Sequence, residues 1–118
     1  MHITTLSIVI PAYNEGSTIH HILNKVKAVQ LINNIQKEVI LVNDCSTDNT
    51  EDAILSYKEA NPDLNIQYYK HEINKGKGAA LHTGIKQATG EYTIIQDADL
   101  EYDPEEFNVL LKPVVFFL

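Results

Sequence analysis

The stretch Gln96-Asp97-Ala98-Asp99 sets two carboxylates two residues apart, just past an apolar run. In extended backbone such residues point to the same side, so the two charges share one face. Held together they repel, and a cation bound to both offsets the repulsion; oxygen ligands suit Mg²⁺ or Mn²⁺. Glu101 and Asp103 extend the acidic stretch. The rival reading is a solvated acidic turn ahead of a helix. For Asp103 that reading, as a helix cap, is favoured. For Asp97 and Asp99 function is favoured, because acids at the mouth of a buried strand are costly without a partner. A calcium loop starting at Asp97 fails, since the positions that need Gly and Glu hold Tyr102 and Asn108.

Gly76-Lys77-Gly78 is the second chemical feature. Glycines let backbone N–H groups approach an anion, and a helix start follows. Neither common phosphate-loop form fits: the dinucleotide pattern wants Gly or Ala where Leu81 stands, and no Gly-Lys-Ser/Thr ending exists. A flexible turn with a solvated lysine carries equal weight. Lys75 and Lys77 gain importance because the chain has no arginine to bind phosphate. Asp44, at a strand end, can accept hydrogen bonds from a base or ribose, or cap a helix; Glu15 has the same two readings. His20, His21, His71 and His82 show no metal-ligand spacing and are read as bystanders. Cys45 has no evident base and is read as structural. Ser7, Ser17, Ser46 and Ser56 lack the context of a nucleophile elbow.

The elements that must position these residues alternate. A β-branched apolar run at 6–10 ends at Pro11 and reads as a buried strand. From Ser17, apolar residues at Ile19, Ile22, Leu23, Val26 and Val29 follow helical spacing. Residues 38–42 read as a second strand, and Asp48 with Glu51 as a capping box for a helix stopped by Asn61-Pro62. A third strand at 65–70, a loop at 74–78, a helix at 79–88 and a fourth strand at 92–96 follow. Asp103-Pro104-Glu105-Glu106 then carries the start signals of a helix, with Tyr102 and Phe107 placed as a hydrophobic staple. The apolar tail 114–118 reads as a strand cut short. The order βαβαβαβα implies an α/β fold: a mostly parallel sheet with right-handed crossovers and helices on both faces. Ligands of such sheets bind beyond the carboxyl ends of the strands, which directs attention to loops 11–16, 43–48, 71–78 and 97–103.

Composition bounds the rest. The chain has 118 residues, 44% hydrophobic and 21% charged, which fits one globular domain, or part of one, over 1–118 and excludes a disordered or fibrous class. With 16 acidic residues against 9 lysines the net charge is −7, which opposes binding to nucleic acid. A single cysteine excludes an intrachain disulfide framework and suits a reducing compartment. No run reaches the roughly 18 apolar residues of a membrane helix. The 3–10 segment has no basic flank before it, so it is not read as a signal peptide.

Four segments, in order, resemble the family 2 glycosyltransferases: 7–15 (SIVIPAYNE), 42–50 (VNDCSTDNT), 74–80 (NKGKGAA) and 97–105 (DADLEYDPE). The likeness is nearest to the dolichol- or polyprenyl-phosphate mannose or glucose synthase branch. It implies the Rossmann-like, nucleotide-sugar-binding half of a GT-A fold, and inverting, metal-dependent transfer of a hexose from a UDP- or GDP-sugar. Carried over by resemblance, Pro11, Tyr13 and Glu15 line the nucleoside pocket, Ala12 belongs to the nucleotide-sugar site and Asp44 binds the base. Lys77 lies near the ribose or phosphates, Ala98 belongs to the donor site, and Asp97 and Asp99 form the DxD motif. Glu101, where many members have Gln, joins the metal shell with them around Mg²⁺ or Mn²⁺. The implied acceptor is a polyprenyl phosphate or a glycan. The implied location is the cytoplasm, or the inner face of a membrane.

Two departures stand out. The usual Asp-Asp-Gly-Ser reads Asn43-Asp44-Cys45-Ser46, and losing the glycine disfavours a left-handed backbone there. The family's catalytic domain also runs to roughly twice this length, a scale set against the ordinary domain size. The acceptor side and any general base are therefore expected outside this chain, and turnover by the chain alone is expected to be poor. Two alternatives stay open: a non-catalytic nucleotide-binding or self-associating module, pairing through a truncated edge, and a sugar nucleotidyltransferase. The latter is disfavoured because the loop after the first strand has no Lys or Arg.

Overall fold

The computed structural model describes residues 4–98 and 104–117, the last six as backbone only. The elements run β1 (Thr5–Ala12), α1 (Ile19–Ala28), a 3-10 turn (Ile32–Asn34), β2 (Gln36–Asn43), α2 (Thr50–Ala60), β3 (Ile66–Lys70), α3 (Lys77–Gln87), β4 (Tyr92–Ile95) and α4 (Glu106–Phe117). The four strands form one parallel sheet in the order β3-β2-β1-β4, with Val9 of β1 in register with Ile40 of β2 and Ile95 of β4.

Handedness then fixes the layers. β1, β2 and β3 advance in one direction across the sheet, so right-handed crossovers put α1 and α2 on the same face. The step from β3 to β4 runs back across β2 and β1, so α3 lies on the other face. Side chains follow the strand alternation: Leu6, Ile8, Ile10, Val39 and Leu41 are buried with residues of α1 and α2, while Val9, Ile40 and Val42 are buried against Ala80 of α3. Phe107 and Leu111, one turn apart on α4, join the first layer. The chain therefore has the expected α/β architecture.

α3 sits unusually close to the sheet. A Cβ added at Gly84 would stand 2.4 Å from Val9 Cγ1, so only glycine permits this approach. The far end of α3 is fixed by a buried carboxylate. Glu38 Oε1 accepts from Ser7 Oγ (2.7 Å) and the Thr89 amide (2.9 Å), and Oε2 accepts from Gln67 Nε2 (3.2 Å) and the Thr89 hydroxyl. One side chain thus ties three strands to the turn leaving α3. At the end of α1, Lys37 Nζ donates to the carbonyls of Val26, Lys27 and Val29 at 2.7–2.9 Å, a cation on the negative end of the helix.

Several element boundaries differ from expectation. β1 and β2 each extend to 8 residues, because polar residues at the sheet's rim still pair. The box on α2 does not close: Asp48 holds the Thr50 amide (3.0 Å), while Glu51 turns to the Tyr68 hydroxyl (3.1 Å) and Lys70 Nζ (3.3 Å). α3 starts at Lys77, two residues before the expected position. The turn at Pro104-Glu105 precedes α4, and Asp103 and Tyr102 lie outside the described residues. The tail reading is overturned, since residues 114–117 continue helix α4. A short apolar run has no period of its own, and here it extends the helix already set by Phe107 and Leu111.

Burial alone would raise the Glu38 pKa, but the bonds from Thr89, Ser7 and Gln67 outweigh it and hold the carboxyl below its ordinary value. A depressed folded-state pKa contributes stability that is present above the unfolded value and lost as pH falls through the folded one. Glu38→Gln places an N–H₂ among donors and is expected to destabilise by about 1–3 kcal/mol at neutral pH. Urea titrations of both proteins from pH 7 to pH 3 should show that gap narrowing below about pH 4.5, the range of a free glutamate. A constant gap would contradict the role of the charge.

Candidate functional site

The sheet order reverses between β1 and β4, and the crevice opens there. Odd residues of β1 bond toward β4, as the Gln96 amide does to the Val9 carbonyl (2.9 Å). β4 pairs no further than Ile95 opposite Val9, so the N–H that Pro11 lacks would have met no partner strand. The departure of β4 leaves a cleft of about 280 Å³ above Pro11.

The loop after β1 is stitched to the loop after β2. Asn14 adopts a left-handed backbone (φ 55°), its amide donates to Ser46 Oγ (2.9 Å), and its Oδ1 accepts from the Thr47 amide (2.8 Å). The Glu15 amide donates to Thr50 Oγ1 (2.9 Å) and the Gly16 amide to Asp48 Oδ2 (3.1 Å). Hydrogen bonding to the Thr50 hydroxyl is the main reason that the Asp48 carboxyl lies below its ordinary value. Glu15 Oε2 accepts from Oγ1 of Thr18 (2.7 Å), the residue before α1, and Glu15 also lines the cleft.

Asp44 is 3% exposed, and its carboxylate gathers the opposite wall. Oδ1 accepts from the Lys75 amide and from His71 Nδ1, Oδ2 accepts from the Gly76 amide, and all three distances are 2.8 Å. Burial alone would raise its pKa; the bonds from the Lys75 amide, His71 and the Gly76 amide together hold it below the ordinary carboxylate value. Gly76 (φ 94°) supplies the left-handed turn into α3, where Lys77 is the first residue. Lys77 Nζ lies 2.6 Å from Asp97 Oδ1.

Of the residues singled out in the sequence, Pro11, Ala12, Tyr13, Glu15, Asp44, Lys77, Asp97 and Ala98 all line this one cleft. Asp99 and Glu101 lie outside the described residues, as does the geometry of a shared carboxylate face. Among the described residues no three His, Cys, Asp or Glu side chains form a metal cluster. Asp97 contributes one hard oxygen donor at the cleft, which suits Mg²⁺ or Mn²⁺. Asn74, Gly76 and Ala80 line the cleft as well.

The structure corrects the expectation that His71 is a bystander. The side chain is buried between Asp44 and Thr83, and its role depends on the fold rather than on any local motif. The turn at Cys45 is a second correction. Cys45 holds φ 57° without a glycine, fixed by bonds from the Ser46 amide (3.0 Å) and hydroxyl (2.6 Å) to Asn43 Oδ1.

The model of Glycosyl transferase family 2 matches residues 7–116. Among curated relatives, a dolichyl-phosphate beta-glucosyltransferase of Dictyostelium discoideum is 34% identical over 110 residues, which is 87% of this chain and 33% of the relative. A poly-beta-1,6-N-acetyl-D-glucosamine synthase of Staphylococcus epidermidis is 35% identical over 100 residues, covering 85% of this chain and 23% of the relative. The chain thus spans a third or less of the length of these relatives. Among solved structures, the mannosyltransferase PcManGT of Pyrobaculum calidifontis, in complex with GDP-Man and Mn²⁺, superposes with a TM-score of 0.75 at 30% identity over 90% of this chain and 30% of its own. S. aureus TarS 1-349 in complex with UDP-GlcNAc gives 0.75 at 32% identity over 97% of this chain and 31% of its own. These relatives support the GT-A fold and leave the nucleotidyltransferase reading without support.

An L-residue in the left-handed region costs about 1–2 kcal/mol, part of which glycine's larger unfolded-state freedom offsets. Cys45→Gly is therefore expected to stabilise the protein by about 0.5–1 kcal/mol in urea unfolding. Unchanged or lower stability would show that the strain at Cys45 is no larger than what its side chain contributes, the Sγ contact to the Glu72 carbonyl (3.5 Å) included.

Proposed function

This chain belongs to glycosyl transferase family 2, and from that membership we propose that its cleft is the donor site for transfer of a hexose from a nucleoside-diphosphate sugar. The observation that carries the proposal is the convergence of four separate loops on one crevice at the switch in strand order. That crevice combines an exposed tyrosine, a buried carboxylate and a lysine–aspartate pair.

The proposed roles follow from chemistry. Asp44 keeps acceptor capacity beyond its three donors and takes an N–H from the base. Tyr13, 46% exposed at the cleft, offers a ring face to the nucleoside. Lys77, at the positive start of α3, attracts the diphosphate. Asp97, with Asp99 and Glu101, would hold Mg²⁺ or Mn²⁺. When bound, the ion supplies charge neutralisation for the departing diphosphate. The sugar's anomeric carbon loses its bond to the diphosphate oxygen as an acceptor oxygen bonds from the opposite face, which inverts the centre. A polyprenyl phosphate acceptor is already anionic and needs little help from a base; a glycan hydroxyl needs one.

The GDP-Man and UDP-GlcNAc complexes of the two superposed structures support a UDP- or GDP-sugar. The relatives' greater length supports an acceptor side built from residues beyond the matched part.

Calorimetric titration with UDP and GDP, with and without Mn²⁺, tests the reading. One nucleotide is expected to bind more tightly with the ion present, and Asp97→Asn should weaken that binding at least about tenfold, a loss near 1.4 kcal/mol. No binding of either nucleotide in any condition would overturn it.

A further inference from the structure

His71 lies one residue beyond β3, where its amide continues the sheet ladder by donating to the Asn43 carbonyl (2.9 Å). Its ring bridges two elements: Nδ1 is 2.8 Å from Asp44 Oδ1 on the β2 side, and Nε2 is 2.8 Å from Thr83 Oγ1 on α3. An ionised carboxylate only accepts, so Nδ1 must carry the hydrogen in this contact. In the neutral ring Nε2 then accepts from the Thr83 hydroxyl. Both ring nitrogens are thus engaged, and His71 does not itself line the cleft.

The consequence runs through Asp44. Its carboxylate holds the amides of Lys75 and Gly76, and the next residue is Lys77, whose Nζ meets Asp97. Gly76, the residue before α3, has no side chain to cap the helix. The turn is held from behind, by Asp44, rather than by a cap of its own. Asp44 is in turn kept from rotating by the ring of His71, which Thr83 braces.

We infer that His71, braced by Thr83, is a positioning residue of the donor cleft: its Nδ1–H fixes Asp44, which fixes the Lys75–Gly76 turn and so the place of Lys77 opposite Asp97. The inference rests on the cleft being the nucleotide site. Its local part, the hold on the turn, can be read without any nucleotide.

The test compares the wild-type protein with His71→Leu and His71→Asn, since the asparagine amide can present an N–H where Nδ1–H stands. Amide hydrogen exchange at Lys75 and Gly76 reports the turn, and titration with UDP and GDP in Mn²⁺ reports the cleft. His71→Leu is expected to speed exchange at both amides about tenfold and to weaken nucleotide binding about tenfold. His71→Asn should return both to within about threefold of wild type, even though its melting temperature falls with the lost Thr83 contact. Long-range ¹⁵N–¹H correlation should find the hydrogen of the neutral ring on Nδ1.

Unchanged exchange in His71→Leu would overturn the inference, and so would a His71→Asn variant no better than His71→Leu. If the wild type binds neither nucleotide while the exchange pattern holds, the donor-site reading fails and the clamp on the turn stands. If the wild type binds but exchange is insensitive to His71, the clamp fails and the donor-site reading stands.

Discussion

A carboxylate removed from water must find donors or lose its charge, and Asp44 finds three from its own chain. Their arrangement organises one wall of the cleft. Because two of the donors are consecutive backbone amides, the bonds specify the path of the main chain at Lys75–Gly76, not merely the position of a side chain. The start of α3 follows from that path. The buried Glu38 does the corresponding work at the other end of α3, where Thr89 leaves the helix. The helix that carries Lys77 is thus fixed by one buried acid at each end, with the close contact at Gly84 between them.

The sheet supplies the rest. β4 leaves the sheet after Ile95, Pro11 presents no N–H on that open side, and the reversal of strand order turns the gap into a crevice. The loops after β1 and β2 are joined by bonds from Asn14, Glu15 and Gly16 to Ser46, Thr50 and Asp48. These two loops therefore form one wall unit before any ligand arrives. Preorganisation of this kind lowers the ordering cost of binding.

Much of this was legible in the sequence because the relevant signals are local. β-Branched runs ending at polar loops mark the strands, and the alternation of strand and helix with the handedness rule directs attention to the loops where Asp44, Lys77 and Asp97 stand. Other features were hidden because they depend on distant partners. His71 looks idle until β3 and α3 are brought beside Asp44. Glu51 looks like a cap until Tyr68 and Lys70 offer better contacts. The left-handed turn at Cys45 is set by Asn43 and Ser46 against the preference of the residue itself. The apolar tail looks like a strand because short apolar runs carry no period, and the helix begun at Glu106 decides its conformation.

The proposed donor site requires this crevice to take a nucleoside diphosphate. A crystal structure of the protein with UDP or GDP and Mn²⁺ tests it most directly. The base is expected against Asp44 and Tyr13, and the diphosphate against Lys77 and the Mn²⁺ that Asp97 would hold. A nucleotide bound elsewhere, with the Asp44 cleft empty, would contradict it.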